Sequence, residues 1–108
     1  MSNNETTKLY EKVGVPATLE LVAEECTELA HACLKLSRYI RNENPAPGHS
    51  YPDLITSLEE EVADVYVTLR ELRKTDRYVD DKRVSEIIDQ KRKRMYERLG
   101  VKAESFIF

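Results

Sequence analysis

The fold is decided by residues 18–40, which read TLELVAEECTELAHACLKLSRYI. Apolar side chains recur in this stretch at spacings of three and four residues, the period of one face of an α-helix. They are Leu19, Val22, Cys26, Leu29, Cys33, Leu36 and Ile40. Pro16 stands in front of them, where the first turn of a helix tolerates proline. We therefore predict an amphipathic helix of about six turns that ends within residues 41–44.

Two further helices follow from the same pattern. The segment 44–52 contains three prolines and a glycine, which indicates a loop. A second helix is predicted from near Asp53, and a break follows at residues 75–80. A third helix is predicted from Asp81, as its N-cap, to Leu99, with Gly100 as the stop. The apolar stripe of the second helix consists of Leu58, Val62, Val65, Leu69 and Leu72; that of the third consists of Val84, Ile88, Met95 and Leu99.

The length of 108 residues suits one domain, covering 1–108. Within it, 1–15 form an N-terminal segment with a short helix expected at 7–12, and 101–108 form an apolar tail that ends Ser-Phe-Ile-Phe. We predict an all-α fold: a helical hairpin plus a third helix. A domain this small buries a modest core. We therefore expect a homo-oligomer of four-helix-bundle character, a homodimer or homotetramer, with the tail packed at an interface.

Charge and hydropathy exclude several classes of protein. The net charge of −3 argues against a general nucleic-acid binder. No apolar run approaches the ~20 residues that a membrane span needs, and the first residues lack the features of a signal peptide. Cys26 and Cys33 are too far apart along a helix for a disulfide, and we interpret them as reduced core cysteines. These features together predict a cytoplasmic protein without nucleic-acid or membrane partners.

One short pattern of carboxylates occurs twice. The first helix carries Glu24-Glu25-Cys26-Thr27-Glu28, and the second carries Glu60-Glu61-Val62-Ala63-Asp64. Positions i, i+1 and i+4 share an arc of ~100°, so each helix presents three carboxylates beside its apolar stripe. Antiparallel packing can bring the two triplets face to face, where only a cation offsets the repulsion. A site made of carboxylates selects hard ions, chiefly Mg²⁺, with Mn²⁺ as the alternative.

The two motifs resemble those of the MazG-like all-α nucleoside triphosphate pyrophosphohydrolases, relatives of the dimeric dUTPases. The resemblance extends over residues 18–99 and rests on Ala-Glu-Glu-Cys-Thr-Glu-Leu-Ala (23–30) and Glu-Glu-Val-Ala-Asp-Val-Tyr (60–66). It implies Mg²⁺-dependent hydrolysis of (deoxy)nucleoside triphosphates to a monophosphate and pyrophosphate, in nucleotide-pool house-cleaning. The 31 residues between Glu28 and Glu60 depart from the family pattern, at or beyond its long end.

The resemblance also assigns roles to residues. It implies Glu25, Glu28, Glu61 and Asp64 as metal ligands, with Glu24 and Glu60 as supporting carboxylates, either of which could take a proton from water. Lys91 and Arg94 match a Lys-x-x-Arg pair that contacts phosphates in the family, although basic residues near a helix end also balance its dipole. From helix geometry, Lys35 and Arg38 could reach a triphosphate that lies along the first helix, or they are solvated side chains.

Two other classes of function remain open. Glu28 and His31 form a Glu-x-x-His motif, which di-iron carboxylate bundles also use. The second helix offers more carboxylates than such a site needs, so we favour a surface or substrate-contacting role for His31. A non-catalytic helical interaction module would need neither metal nor nucleotide.

Overall fold

The computed structural model describes residues 8–43 and 48–102, and within them the chain is helical over 80% of its length and contains no strand. This confirms the all-α prediction. The helices in chain order are α1 (Leu9–Val13), α2 (Val15–Ile40), α3 (Tyr51–Arg73) and α4 (Asp81–Leu99). Parts of three predictions lie outside the described residues: the N-terminal segment before residue 8, the loop at 44–47 and the tail from residue 103.

The chain divides into two compact units, Met1–Lys74 and Thr75–Phe108. The first contains α1, α2 and α3, and the second contains α4. Whether both belong to one domain, as the length indicates, stays a prediction. None of the four described helices is both long and apolar enough to cross a membrane.

In the first unit, α2 and α3 pack against each other as the predicted hairpin. Their contacts run in antiparallel order: the rings of Tyr39 and Tyr51 stack near the connecting loop, with centroids 5.6 Å apart. Glu25 meets Glu61 farther from the loop. In the described part of the chain, the buried apolar residues are Ala32 on α2 and Leu54 and Val65 on α3.

α3 begins earlier than the sequence predicted, whereas α4 begins at Asp81 as predicted but has a different N-cap; a polar side chain caps each start. The hydroxyl of Ser50 accepts a hydrogen bond from the backbone N–H of Asp53 at 3.3 Å. α3 therefore begins at Tyr51, inside the predicted loop 44–52, and Pro52 falls in its first turn. At α4 the cap is Asp80 and not Asp81, since the Asp80 carboxylate accepts from the N–H of Arg83 at 3.0 Å.

Gly14 alone separates α1 from α2, and its φ of 92° lies in a region that other residues rarely adopt. Its carbonyl oxygen accepts a hydrogen bond from the buried hydroxyl of Thr18 at 2.9 Å. The sharp change of direction brings α1 into contact with both α2 and α3.

The predicted apolar stripes are buried only in part. Leu29 and Leu36 of α2 are half-buried, whereas Ile40 is 65% exposed. The interpretation of Cys26 and Cys33 as core residues is wrong, since both are exposed free thiols. The neighbouring helices α1 and α3 cover a narrower arc of α2 than the arc over which its apolar residues spread.

In the second unit, α4 shows the same partial burial. Val84 and Ile88 are half-buried, but Met95 is exposed and Leu99 is 67% exposed. The more buried positions near the end of the helix are Arg92 and Tyr96, whose guanidinium and ring lie 5.6 Å apart. Gly100, in the left-handed conformation, ends α4 as predicted.

Candidate metal centre

Three carboxylates from two helices meet in the hairpin. Glu25 on α2 and Glu61 and Asp64 on α3 each offer one oxygen, and these oxygens all lie within 4.8 Å of one another. Glu61 and Asp64 are one helical turn apart and so project from the same face of α3. Glu25 and Glu61 are half-buried, and Asp64 is exposed to solvent. The three oxygens could therefore share one cation that approaches from the solvent side.

The electrostatics of the cluster are unfavourable for three negative charges. Partial burial raises the pKa of Glu25, and the charges of Asp64, Glu61, Glu24 and Glu28 raise it further. Burial likewise raises the pKa of Glu61, followed by the charges of Asp64, Glu28 and Glu60. No cation of the chain is among the causes for either group.

One oxygen of Glu61 is also without a hydrogen-bond partner. Its Oε2 atom is buried, and no donor in the described part of the chain reaches it. A buried carboxylate oxygen normally accepts at least one hydrogen bond or binds a cation. Glu61 is thus the carboxylate of the cluster that most needs an external partner.

The remaining carboxylates of the two motifs surround this group. Glu24, Glu28 and Glu60 are exposed, and each raises the pKa of Glu25, Glu61 or both. The structure thus brings together three of the four expected ligands, and Glu28 lies close enough to influence two of them. It stays a prediction that Glu28 is a metal ligand and that Glu24 or Glu60 accepts a proton.

A cavity of about 160 Å³ adjoins the carboxylates. On the α2 side it is lined by Glu28, His31, Ala32 and Lys35. These residues follow the spacing i, i+3, i+4 and i+7, which places them on one face of the helix. Of the four basic residues predicted to contact substrate, Lys35 is the one that lines this cavity.

The opposite wall comes from α3 and the residues before it: His49, Leu54, Ser57 and Glu61. Glu61 belongs to both the cavity and the carboxylate cluster. His49 and Ser57 were not predicted as site residues. Ser57 shares a face of α3 with Glu61, four residues on, so helical spacing alone could have indicated it. No pattern marks His49, because it stands in the loop before the cap of α3.

The other predicted substrate residues lie elsewhere. Arg38 is exposed on α2 and does not line the described cavity. Lys91 and Arg94 are exposed on α4, in the second unit. Their contact with phosphate stays a prediction. His31 is absent from the group of clustered ligand atoms found among the described residues, and it lines the cavity instead.

Comparison of the chain with protein-family models, with curated proteins and with solved structures gives no match.

Proposed function

We propose that this chain is a MazG-like, Mg²⁺-dependent pyrophosphohydrolase that splits nucleoside triphosphates into a monophosphate and pyrophosphate. The observation that carries the proposal is the meeting of Glu25, Glu61 and Asp64, whose oxygens lie within 4.8 Å of one another. These residues belong to the two sequence motifs that resemble the family. Their mutual repulsion supports an external divalent ion, since the charges that raise the pKa values of Glu25 and Glu61 are all carboxylates.

The chemistry of the donors favours a hard cation. Glu25, Glu61 and Asp64, with Glu28 beside them, supply oxygen atoms only, which suits Mg²⁺ or Mn²⁺. Held by these residues, such an ion would neutralise charge on phosphate oxygens and acidify a water molecule. A phosphate-bearing substrate fits this site, because Mg²⁺ commonly joins protein carboxylates to phosphates.

The residues of the chain then divide the remaining work. Glu24 or Glu60 takes a proton from the attacking water, which adds to the α-phosphorus as the bond to the β-phosphate oxygen breaks. Pyrophosphate leaves with that bridging oxygen. Lys35, Arg38, Lys91 and Arg94 are the candidates that hold the phosphates, since each is an exposed cation.

A di-iron protein and a non-catalytic module are the rival functions. A di-iron site would use Glu28 and His31, whereas the cluster in the described chain is made of carboxylates alone. This observation favours the hydrolase. Ferrous iron with oxygen should give no iron-oxo absorption band, and Mg²⁺ with a non-hydrolysable triphosphate should give a calorimetric binding signal. An iron-oxo band would favour the di-iron protein. The absence of a binding signal would favour the non-catalytic module.

The decisive experiment is a hydrolysis panel of ribo- and deoxyribonucleoside triphosphates with Mg²⁺, in which pyrophosphate and orthophosphate are measured separately. We expect pyrophosphate and the nucleoside monophosphate in equal amounts, and no activity after chelation. Release of orthophosphate alone, or no turnover with any triphosphate, would refute the proposal.

The phosphate role of Lys91 can be tested with a neighbour as control. Lys91 and Lys93 are both exposed on α4, and only Lys91 matches the family pair. A charge-assisted contact contributes about 1.5–3 kcal/mol. Lys91→Ala should therefore lower kcat/KM about tenfold or more, while Lys93→Ala leaves it close to wild type. Equal kcat/KM values for the two variants would show that Lys91 is a solvated surface residue without a role in phosphate binding.

We also propose that the chain forms a homodimer or homotetramer of four-helix-bundle character. Large apolar side chains stay exposed on the hairpin, among them Ile40 at 65% and Tyr66 at 69%. Burial against a second copy would remove this surface from water. Light scattering after size exclusion should give a mass above the 12.5 kDa of one chain. An active monomer at micromolar concentration would contradict this, and deletion of residues 105–108 tests the tail separately.

A further inference from the structure

Four exposed side chains follow one line along α2. They stand seven residues apart and are Leu19, Cys26, Cys33 and Ile40. A seven-residue repeat drifts by only about 20° on a straight helix, so the four residues share an arc of about 60°. We call this line the α2 seam. Its spacing is the one with which helices pair in coiled coils.

The α2 seam carries no charge. Every charged residue of α2 lies about 100° or more around the helix from Cys26. These residues are Glu20, Glu24, Glu25, Glu28, Lys35 and Arg38. A groove of about 290 Å³ opens beside the C-terminal half of the seam, lined in part by Cys33, Leu36 and Ile40. An uncharged helix face with an apolar groove is suited to a second helix with a similar face.

The charges outside the seam indicate which helix this is and in which direction it runs. The acidic residues of α2 all precede residue 29, and its two cations follow residue 34. Two parallel copies of α2 would place like charges side by side, whereas an antiparallel pair places the acidic half of each against the basic half of the other. Glu20 and Arg38, each about 120° from Cys26 on the same side, border the seam. Charge complementarity therefore favours a second copy of this chain, with its α2 antiparallel.

One antiparallel register pairs every residue of the seam. With a two-fold axis between residues 29 and 30, Leu19 lies opposite Ile40 of the partner subunit, and Cys26 lies opposite Cys33 of the partner subunit. A shift of the axis by half a heptad leaves Leu19 or Ile40 unpaired. Packed helices lie about 8–10 Å apart, so facing Cα atoms approach to about 3.5–5.5 Å. This range overlaps the separation of about 4.4–6.8 Å that a disulfide needs.

We propose that two copies of the chain pair antiparallel along the α2 seam, and that Cys26 of each forms a disulfide with Cys33 of the partner subunit under oxidising conditions. The proposal rests on the proposed homodimer and adds its contact face, its direction and a covalent link. Each disulfide forms as two thiols lose two protons and two electrons. Oxidised glutathione takes these up and becomes two thiols.

The test treats wild type and variants at micromolar concentration with oxidised glutathione and separates them on non-reducing gels. Wild type should give a band at twice the 12.5 kDa of one chain. Cys26→Ser and Cys33→Ser should each stay a single chain when expressed alone, but the two should cross-link when co-expressed, through the one remaining disulfide. The matched control combines Cys26→Ser with Thr27→Cys, which moves the thiol by about 100° around the helix. This control should stay a single chain.

Cross-linking of either serine variant by itself would indicate a parallel pair or another register and would overturn the inference. A control that cross-links as readily as wild type would do the same. Light scattering in reductant tests the homodimer separately. A dimer that fails to cross-link refutes the proposed pairing and leaves the homodimer standing, whereas a monomer refutes both. None of these measurements needs turnover, so the hydrolysis panel is decided independently.

Discussion

Glu61 and Glu71 are the same residue type on the same helix, ten residues and about 15 Å apart. Their environments shift their pKa values in opposite directions. Burial and the charges of Asp64, Glu28 and Glu60 raise the pKa of Glu61. At Glu71 a hydrogen bond from Lys74, at 3.0 Å, is the main cause of a lowered pKa, and the backbone N–H of Leu9 adds to it. One glutamate is partnered by its own chain, and the other is surrounded by like charge.

Hydrogen bonds and neighbouring charges both separate these two residues, although one oxygen of each is without a partner. Each has a buried Oε2 atom that finds no donor in the parts of the chain described. Glu71 accepts a hydrogen bond from Lys74 through its other oxygen and has the charges of Lys74 and Arg70 nearby, whereas the charges that act on Glu61 are carboxylates. The lowered pKa of Glu71 indicates a favourable environment for its charged form, whereas the raised pKa of Glu61 indicates an unfavourable one. A carboxylate held in an electrostatically unfavourable environment is a candidate for a functional role.

The largest expected effect is on turnover. Glu61→Gln removes a ligand charge while it keeps the shape of the side chain, so we expect Mg²⁺-dependent hydrolysis to fall at least about 100-fold. Glu71→Gln makes the same chemical change ten residues away and should retain wild-type kcat/KM. Circular dichroism should show equal helical content in both proteins. If Glu61→Gln stays as active as Glu71→Gln, Glu61 does not hold the metal.

The next effect is on the pH dependence of stability without metal. Because the pKa values of Glu25 and Glu61 are raised above 4.5, the folded protein binds more protons than the unfolded chain between that pH and the raised values. The contribution of these two carboxylates to stability is therefore most favourable below pH 4.5 and is lost as pH rises through their raised pKa values. Glu71, with its lowered pKa, contributes in the opposite sense: its stabilisation is present above 4.5 and lost as pH falls through its folded value.

Urea unfolding of chelated protein at a series of pH values would measure this. The difference in the free energy of unfolding between wild type and Glu61→Gln measures the contribution of this one carboxylate. Above the raised pKa, the variant should be the more stable of the two. Saturating Mg²⁺ should reverse that order, since it stabilises only the protein that binds it. A wild type that stays the more stable without metal would contradict the repulsion at Glu61.

The smallest effect is the loss of the ion pair at the other end of α3. The side chains of Lys74 and Glu71 are 34% and 22% exposed, so solvent screens their attraction. We expect Glu71→Gln to lower the free energy of unfolding by about 0.5–1 kcal/mol at neutral pH, as measured by urea titration. A variant as stable as wild type would show that the pair contributes nothing measurable.

The sequence predicted the helices and the facing carboxylates for one physical reason. The spacing of apolar residues identifies a helix and its inner face, and Glu25, Glu61 and Asp64 stand beside that face. The same spacing did not show how wide an arc of each helix is buried, because the buried arc depends on how many helices pack against it. Cys26 and Cys33 were placed wrongly for this reason.

Other features depend on contacts that no local pattern encodes. The contact between Leu9 and Glu71 exists because Gly14 turns the chain between α1 and α2. The inclusion of His49 in the cavity depends on where the loop before α3 runs. The start of α3 and the N-cap of α4 could have been predicted better, since Ser50 and Asp80 are ordinary capping residues.

Ala32 has a consequence for how this protein can change over generations. It is 7% exposed and lines the cavity, so one methyl group bounds the space there. A single nucleotide change in an alanine codon gives valine, whose branched side chain would narrow the cavity and leave Glu25, Glu61 and Asp64 in place. Descendants of this chain can therefore change the size of this cavity in one mutational step, without rebuilding the carboxylate cluster.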